Sequence, residues 1–329
     1  MSLRRFVLRR LLLAVPILLG VSVVTFALSK LAPGGPIEYV VGFNPTVDAQ
    51  QRAALRAQYG LGEPIARQYL AWLGNVLGGD FGETIPGGRS VAGIVSRRFP
   101  ATVMLGAVGW VIAMLVAVPT GIYAAINKGR LGDEASRLVA LSGVSIPNFW
   151  LGLLLLLVFS VELDWFPVLP PFGAGTADTV VGTVGELLAP EMLWYLLLPG
   201  ITVGTAAAAT LMRIMRSSMA AEMNEAYVRT ARAKGLPERT VVLKHVLRNS
   251  LLSVTTVAAF LTANLLAGSV VVEQVFDWPG LGRELVSAIR ERQINVVMAI
   301  TLLTGVLIVG ANLLADLVYA ALDPRIRYD

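Results

Sequence analysis

The fold class this sequence predicts is an all-α membrane protein with six transmembrane helices. Three observations carry that expectation: overall hydrophobicity, six apolar runs of span length, and the distribution of basic residues. Of 329 residues, 55% are hydrophobic and 15% charged, against about 25% charged in an ordinary soluble domain, and mean hydropathy is +0.69. A helix needs roughly 20 apolar residues to cross the hydrocarbon core. Runs of that order lie at Leu11 to Ser29, Ala101 to Ile126, Leu138 to Val161, Trp194 to Met212, Leu251 to Val272 and Ile294 to Ala315.

The first run follows "RRFVLRR", a basic start that also suits a secretory signal. It is longer than a typical signal core, and "ALSKLAPGG" makes a poor cleavage site, so it reads as a retained span. Lys and Arg then set the orientation. Four precede the first span, three (Lys128, Arg130, Arg137) lie in the second connection, eight fall between Arg213 and Arg248, and two are in the tail. The third connection, Glu162 to Leu193, has none and carries five acidic residues. Both termini are therefore expected in the cytoplasm of a multi-pass cell-membrane protein. The first connection holds seven basic residues, but it exceeds the loop length over which the rule operates. Net charge of +5 thus encodes orientation and contact with the lipid bilayer, with no nucleic acid expected.

The connections and breaks follow from local chemistry. "PTVDAQQRAALRAQYG" and "GEPIARQYLAWLGNVLGG" read as short amphipathic helices ended by glycines, and "RSVAGIVSRRFP" as a third helical piece before Pro100 opens the second span. The resulting division is a cytoplasmic N-terminus with the first span (1–30), a small helical extracytoplasmic cap (31–96), a five-helix core with a cytoplasmic loop at 213–249 (97–320), and a cytoplasmic tail (321–329). Pro16, Pro119, Pro147 and Pro199 are candidate kinks. "GITVG" and "TAAAAT" offer the small-residue face of closely packed membrane helices. Asn148, beside Pro147, and Asn264, midway along the fifth span, are either structural hydrogen-bond formers or pathway-lining groups.

Several function classes lack their parts. There is no cysteine and one histidine, His245, so thiolate metal sites and Cys or Ser/His nucleophile pairs are missing, and no metal site is expected. The six runs contain no Asp, Glu, Lys, Arg or His, which argues against proton coupling through the membrane. No Gly-Lys pair occurs, so a phosphate-cradling P-loop is absent. If the chain drives transport, the energy comes from another subunit.

A partner of that kind must meet the basic segment "NEAYVRTARAKGLPERTVVLKHVLRNS". It reads as a helix with Asn224 as N-cap, Glu225 at the positive end, Lys234 at the negative end and Gly235 in the left-handed terminating position. Pro237 suits the first turn of the next helix. Ala226, Thr230 and Ala233, at steps of four and three, form a narrow face of small residues.

"RTARAKG", nine further residues and then "HVLRNSL" resemble the conserved cytoplasmic loop of binding-protein-dependent ABC importer permeases, in the basic variant of the peptide-transport branch. "RRLLLAVPILLGVSVVTFALSKLAPGGP", "YLAWLGNVLGGDFGETI", "RRFPATVMLG", "GVSIPNFWLG", "VVEQVFDWPGLGRELVSAI" and "ADLVYAALDPRIRY" extend the match over nearly the whole chain. Together they resemble the B-type permease subunit of dipeptide/oligopeptide importers.

The resemblance implies the type I ABC importer permease fold and a heterodimer with a C-type permease subunit. It also implies two cytoplasmic ATPase subunits and an extracytoplasmic solute-binding protein, with a peptide substrate. No cofactor is implied in this chain and no catalytic residue; ATP and Mg belong to the partner subunits. Carried over by position, Arg229, Thr230, Ala231, Arg232, Ala233, Lys234 and Gly235 form the ATPase-coupling helix. "QVFDWPGLG" is a gate, a docking surface with Asp277 and Trp278 as binding-protein contacts, or a structural turn. Nickel, glutathione or oligosaccharide remain alternative solutes, and an ATP-independent channel remains an alternative mechanism.

Overall fold

The structure is a computed structural model and describes residues 3–31, 62–85, 87–168 and 190–322. Among the described residues the helices are α1 (Leu3–Leu31), α2 (Ile65–Leu77), α3 (Val91–Ile126), α4 (Leu131–Ser145), α5 (Asn148–Leu155), α6 (Pro190–Glu222), α7 (Ala226–Ala233), α8 (Glu238–Thr240), α9 (Leu247–Val275), α10 (Leu281–Arg290) and α11 (Ile294–Leu322). Two wider π-helical stretches, Leu156–Glu162 and Val241–Val246, extend α5 and lead into α9. The segment "PTVDAQQRAALRAQYG" and most of the acidic third connection lie outside the described residues.

Among the described residues, four helices are long and apolar enough to cross a membrane: Leu8–Leu31, Val91–Ile126, Met192–Glu222 and Ile294–Val318. A fifth is reached if α4 and α5 are taken as one broken span. The third apolar run is therefore not a straight helix. Ile146 and Pro147 are extended (ψ 124° and 133°), and the two pieces meet at 104°. Pro147 pushes the residue before it out of the helical region, which ends α4 there.

Pro100 acts differently from expectation. It lies inside α3 instead of opening it, because a proline removes only its own amide from the ladder and the flanking bonds carry the helix through. The helix starts at Ser90, whose hydroxyl accepts from the Gly93 N–H at 3.3 Å. The glycines after "NVL" do end α2, with Gly79 at φ +85°. Its aromatic face rests on α1 through Tyr69 and Trp72 against Phe26, ring centroids 5.5 and 5.6 Å apart, and through a 2.8 Å Ser22–Tyr69 hydrogen bond.

The bundle is held by small residues where helices cross. At the α3–α6 crossing Gly204 stacks against the Gly109 backbone, and Val203 fills the space beside Gly109, as the small-residue reading of "GITVG" requires. Buried Ala101, Leu105 and Ala113 of α3 meet Leu196, Val203 and Ala207 of α6, together with Leu265 and Val272 of α9. A second cluster joins α3, α6, α7, the 241–246 stretch and α9 at the end that carries α7, the loop end. A third, at the opposite or hairpin end, packs the start of α3 on α10 and α11. Ion pairs tie both ends. Arg10 meets Asp316 at 3.0 Å at the loop end, and Arg98 meets Glu284 at 3.1 Å at the hairpin end.

Candidate functional site

At the loop end α7 is a two-faced helix. Val228 and Ala231 are buried against Met215 and Met219 of α6 and Val241 and Val246 of the π-helical stretch. Ala226, Arg229, Thr230 and Ala233 stay exposed. The anticipated small-residue face therefore points away from the bundle, with Arg229 beside it. Thr230 bonds its own ladder, donating to the Ala226 carbonyl at 3.0 Å, so it adds shape without an unpaired hydroxyl. Ala231 belongs to the buried face and offers no surface of its own.

The ends of α7 are fixed by identifiable bonds. Gly235, at φ +77°, donates to the Arg232 carbonyl at 2.9 Å, and Leu236 donates to the Ala231 carbonyl at 3.4 Å. This pair closes the helix in the Schellman pattern, with Lys234 as C-cap. At the other end the expected N-cap is corrected. Glu225 holds that position, its carbonyl accepting from Val228 and Arg229, while the Asn224 amide turns back to donate to the Ala220 carbonyl at 2.8 Å. The end of α6 competes successfully for that side chain. Pro237 likewise caps α8 rather than entering its first turn.

Arg232 is exposed and held by an ion pair. Its guanidinium spans α7 and α8 with a two-pronged pair to Glu238, at 3.0 and 2.6 Å, and this keeps the Glu238 carboxyl below its ordinary value. The turn is thereby braced from both sides. Behind it, Asp133 of α4, 1% exposed, takes Arg216 of α6 in a second two-pronged pair at 2.5 and 2.7 Å, and its Oδ2 accepts from the Gly129 N–H at 3.0 Å. No motif pointed to this pair. Only folding brings the start of α4 against α6.

Midway along the bundle, Asn148 begins α5 just after the bend and lines a cavity of about 260 Å³ with Val203, Ala206, Ala207, Thr210, Leu261 and Leu265. The cavity is apolar with two polar groups, and the Thr210 hydroxyl already donates to the Ala206 carbonyl at 3.0 Å. Asn148 is the other polar side chain of this wall, and a few polar groups in apolar walls are the usual make-up of a small-molecule site. Asn264 lies on α9, and its side chain is outside the described residues.

At the hairpin end the expectation for Trp278 is corrected. The indole is 1% exposed and its Nε1–H donates to the Ala101 carbonyl of α3 at 2.9 Å, so it is part of the core and unavailable as a contact for a docking protein. Burying so large an apolar ring with its one polar atom paired outweighs leaving it in water. Asp277, at φ +52°, is half-buried and pairs with Arg283 at 2.8 Å. Its neighbour Glu273 escapes a reading by apolar runs, because it sits one residue beyond the fifth run. In the structure it belongs to the same helix and is 0% exposed.

Two comparisons with known proteins bear on these features. The model of the family described as binding-protein-dependent transport system inner membrane component matches residues 117–328, and the model of its N-terminal part matches residues 3–106. The oligopeptide transport system permease protein AppB of Bacillus subtilis is 40% identical over 324 residues, 98% of this chain and 99% of that protein. The glutathione transport system permease protein GsiC of Escherichia coli K12 is 40% identical over 323 residues, with the same coverage.

Proposed function

Because the chain belongs to the family of binding-protein-dependent transport system inner membrane components, multi-pass permeases of ABC importers that lack a catalytic site, we propose that it carries di- or oligopeptides across the cell membrane as the B-type half of a heterodimer with a C-type permease. A transporter of this kind works with ATPase subunits and a solute-binding protein. In this reading six spans cross the membrane. The loop end faces the cytoplasm with both termini, and residues 31–96 form a cap outside.

The observation that carries the proposal is α7. It is a short helix pinned by its buried face to α6 and to the stretch that continues into α9, with a small-residue face left bare and an arginine beside it. Small side chains let another protein's groove approach the backbone closely, and the braced Gly235 turn passes a push from that groove into α9 rather than absorbing it. ATP and Mg²⁺ bind in the partner ATPases, whose closure moves α7. The spans then alternate access to a path that includes the Asn148 cavity. Weak contacts on both faces suit release as well as capture. An uncharged lining with one amide suits a solute recognised through its peptide groups.

Peptide is favoured as solute by the Bacillus relative, an oligopeptide transport system permease protein. The Escherichia relative's solute, glutathione, is itself a small peptide, so both fall in one chemical class. The test is uptake into vesicles holding this chain, its C-type partner and the ATPases, with loaded binding protein outside. Labelled di- and oligopeptides should accumulate only with internal ATP. Uptake without the ATPase subunits would establish a facilitator instead, and uptake of glutathione, nickel or an oligosaccharide in preference to peptides would reassign the solute.

A further inference from the structure

Glu273 is a fully buried carboxylate whose placement the proposed function does not use. Its Oε1 accepts from the Thr102 hydroxyl of α3 at 2.8 Å and the Ser269 hydroxyl at 3.0 Å, and its Oε2 accepts from the N–H groups of Gly282 and Arg283 at 2.6 and 3.1 Å. The Leu281 N–H donates to the Thr102 hydroxyl at 2.8 Å. The first three amides of α10, which no intrahelical carbonyl satisfies, thus all end on side chains of α9 and α3. The cap residue of α10 is Gly280, which supplies no side-chain bond of its own. Gly280 and Gly282 lie so close to the Glu273 carboxylate that a Cβ at either would collide with it.

A serine or aspartate at 280 would cap a helix locally. A carboxylate buried on another helix does the same at a large desolvation cost, and what it adds is a mechanical tie. It bonds the hairpin 276–290 to α9 and to α3 at one point, seconded by the Trp278 N–H to the Glu273 carbonyl at 2.8 Å and by the indole on Ala101. The π-helical stretch and α9 run on from the turn behind α7 to Glu273, 6 and 29 residues, a rod of about 50 Å at 1.5 Å per residue.

We propose that Glu273 is a positioning residue that fastens the 276–290 hairpin and α3 to the far end of this rod, so that movement of the coupling helix at one face is delivered as a rigid displacement of the hairpin at the other. The proposal rests on the importer reading. It gives the motif "VVEQVFDWPGLG" a definite role: the glutamate is the clamp, the glycines make room for it, and the tryptophan locks the turn. The hairpin then presents its outer surface to the binding protein as part of the moving body.

The assembled transporter in vesicles tests this through the ratio of ATP hydrolysis with loaded binding protein to hydrolysis without it. Glu273→Gln keeps the shape but replaces one of the two acceptor oxygens by an NH2 donor, so the α10 amides and the Thr102 and Ser269 hydroxyls no longer all find an acceptor, and the ratio should fall by about 5-fold or more, the range of an ordinary coupling between sites. Thr102→Val should lower it and Thr102→Ser should restore it. An unchanged ratio in assembled Glu273→Gln would overturn the clamp. A wild-type complex that binding protein does not stimulate would instead overturn the importer reading.

A second measurement leaves the clamp intact. The chain has no cysteine, so spin labels at Val111→Cys on α3 and Arg290→Cys on α10, both exposed, report one distance. It should stay constant between nucleotide-free and ATP-bound complexes. A change across that step would show that hairpin and α3 move separately and would sink the proposal whatever the variants do.

Discussion

The α3–α6 crossing makes a quantitative prediction through Gly204→Ala. A Cβ built at Gly204 falls 2.5 Å from the Gly109 carbonyl oxygen, 3.3 Å from its carbon and 3.4 Å from its Cα. All three are backbone atoms of another helix, so no rotamer change relieves the collision; the helices must separate by a large part of an ångström. Separation loosens Val203 against Gly109 and the buried set around Leu105 and Leu196. Overpacking of a fitted core costs about 1–3 kcal/mol, against which the helix propensity of alanine over glycine returns about 1 kcal/mol. Gly20→Ala in α1 is the control, since nothing lies within 4 Å of its Cβ position and only the propensity gain applies. In thermal unfolding of the detergent-solubilised complex, Gly204→Ala should lower the midpoint and Gly20→Ala should leave it equal or raised. Equal midpoints for the two variants would refute the close approach as the determinant of the crossing.

Three further outcomes are expected. Gly235→Val meets no steric obstacle but places a β-branched residue at φ +77°, a strain of about 1–3 kcal/mol. Uptake should uncouple from ATP hydrolysis in a complex that still assembles, with Gly235→Asn retaining more coupling, and unchanged uptake in the valine variant would remove α7 from the coupling path. Asp133→Ala strands the partly exposed Arg216 charge and should destabilise the chain by about 1–3 kcal/mol, the cost of leaving a charged group's bonds unmade; Asp133→Ala together with Arg216→Met should recover much of that in the same unfolding assay. Trp278→Phe shrinks the buried ring and removes the indole N–H bond to the Ala101 carbonyl, costing about 0.5–1.5 kcal/mol for the bond and more for the space left. If the tryptophan served as a docking contact, the variant would instead weaken binding-protein affinity with stability intact, and a pull-down beside the unfolding curve separates these results.

Much of α7 is legible in the sequence because its determinants are local. The left-handed stop needs glycine, and "AKGL" places one where the Schellman bonds form. The small steps at 226, 230 and 233 mark one side of a helix whatever that helix packs against. Asn224 misled for the same reason. An asparagine before a helix is a good cap only if no nearer acceptor competes, and the end of α6 provides one in the Ala220 carbonyl. Trp278 misleads, and Glu273 carries no signal that a reading by apolar runs picks up. An aromatic in a glycine-rich turn looks like a surface group, yet the turn folds back onto α3, where the ring finds a carbonyl, while the Glu273 carboxylate on α9 takes two α10 amides and the Thr102 hydroxyl takes a third.

Hydrophobicity, run length, the capping glycines and the small-residue crossing face are properties of neighbouring residues, and the sequence by itself determined from them a helical membrane protein with a basic connecting helix of defined ends. Tertiary structure alone decided the Asp133–Arg216 and Glu273–Thr102 links. The physical reason is that they join groups 83 and 171 positions apart, and a buried charge persists only beside partners that folding has already assembled.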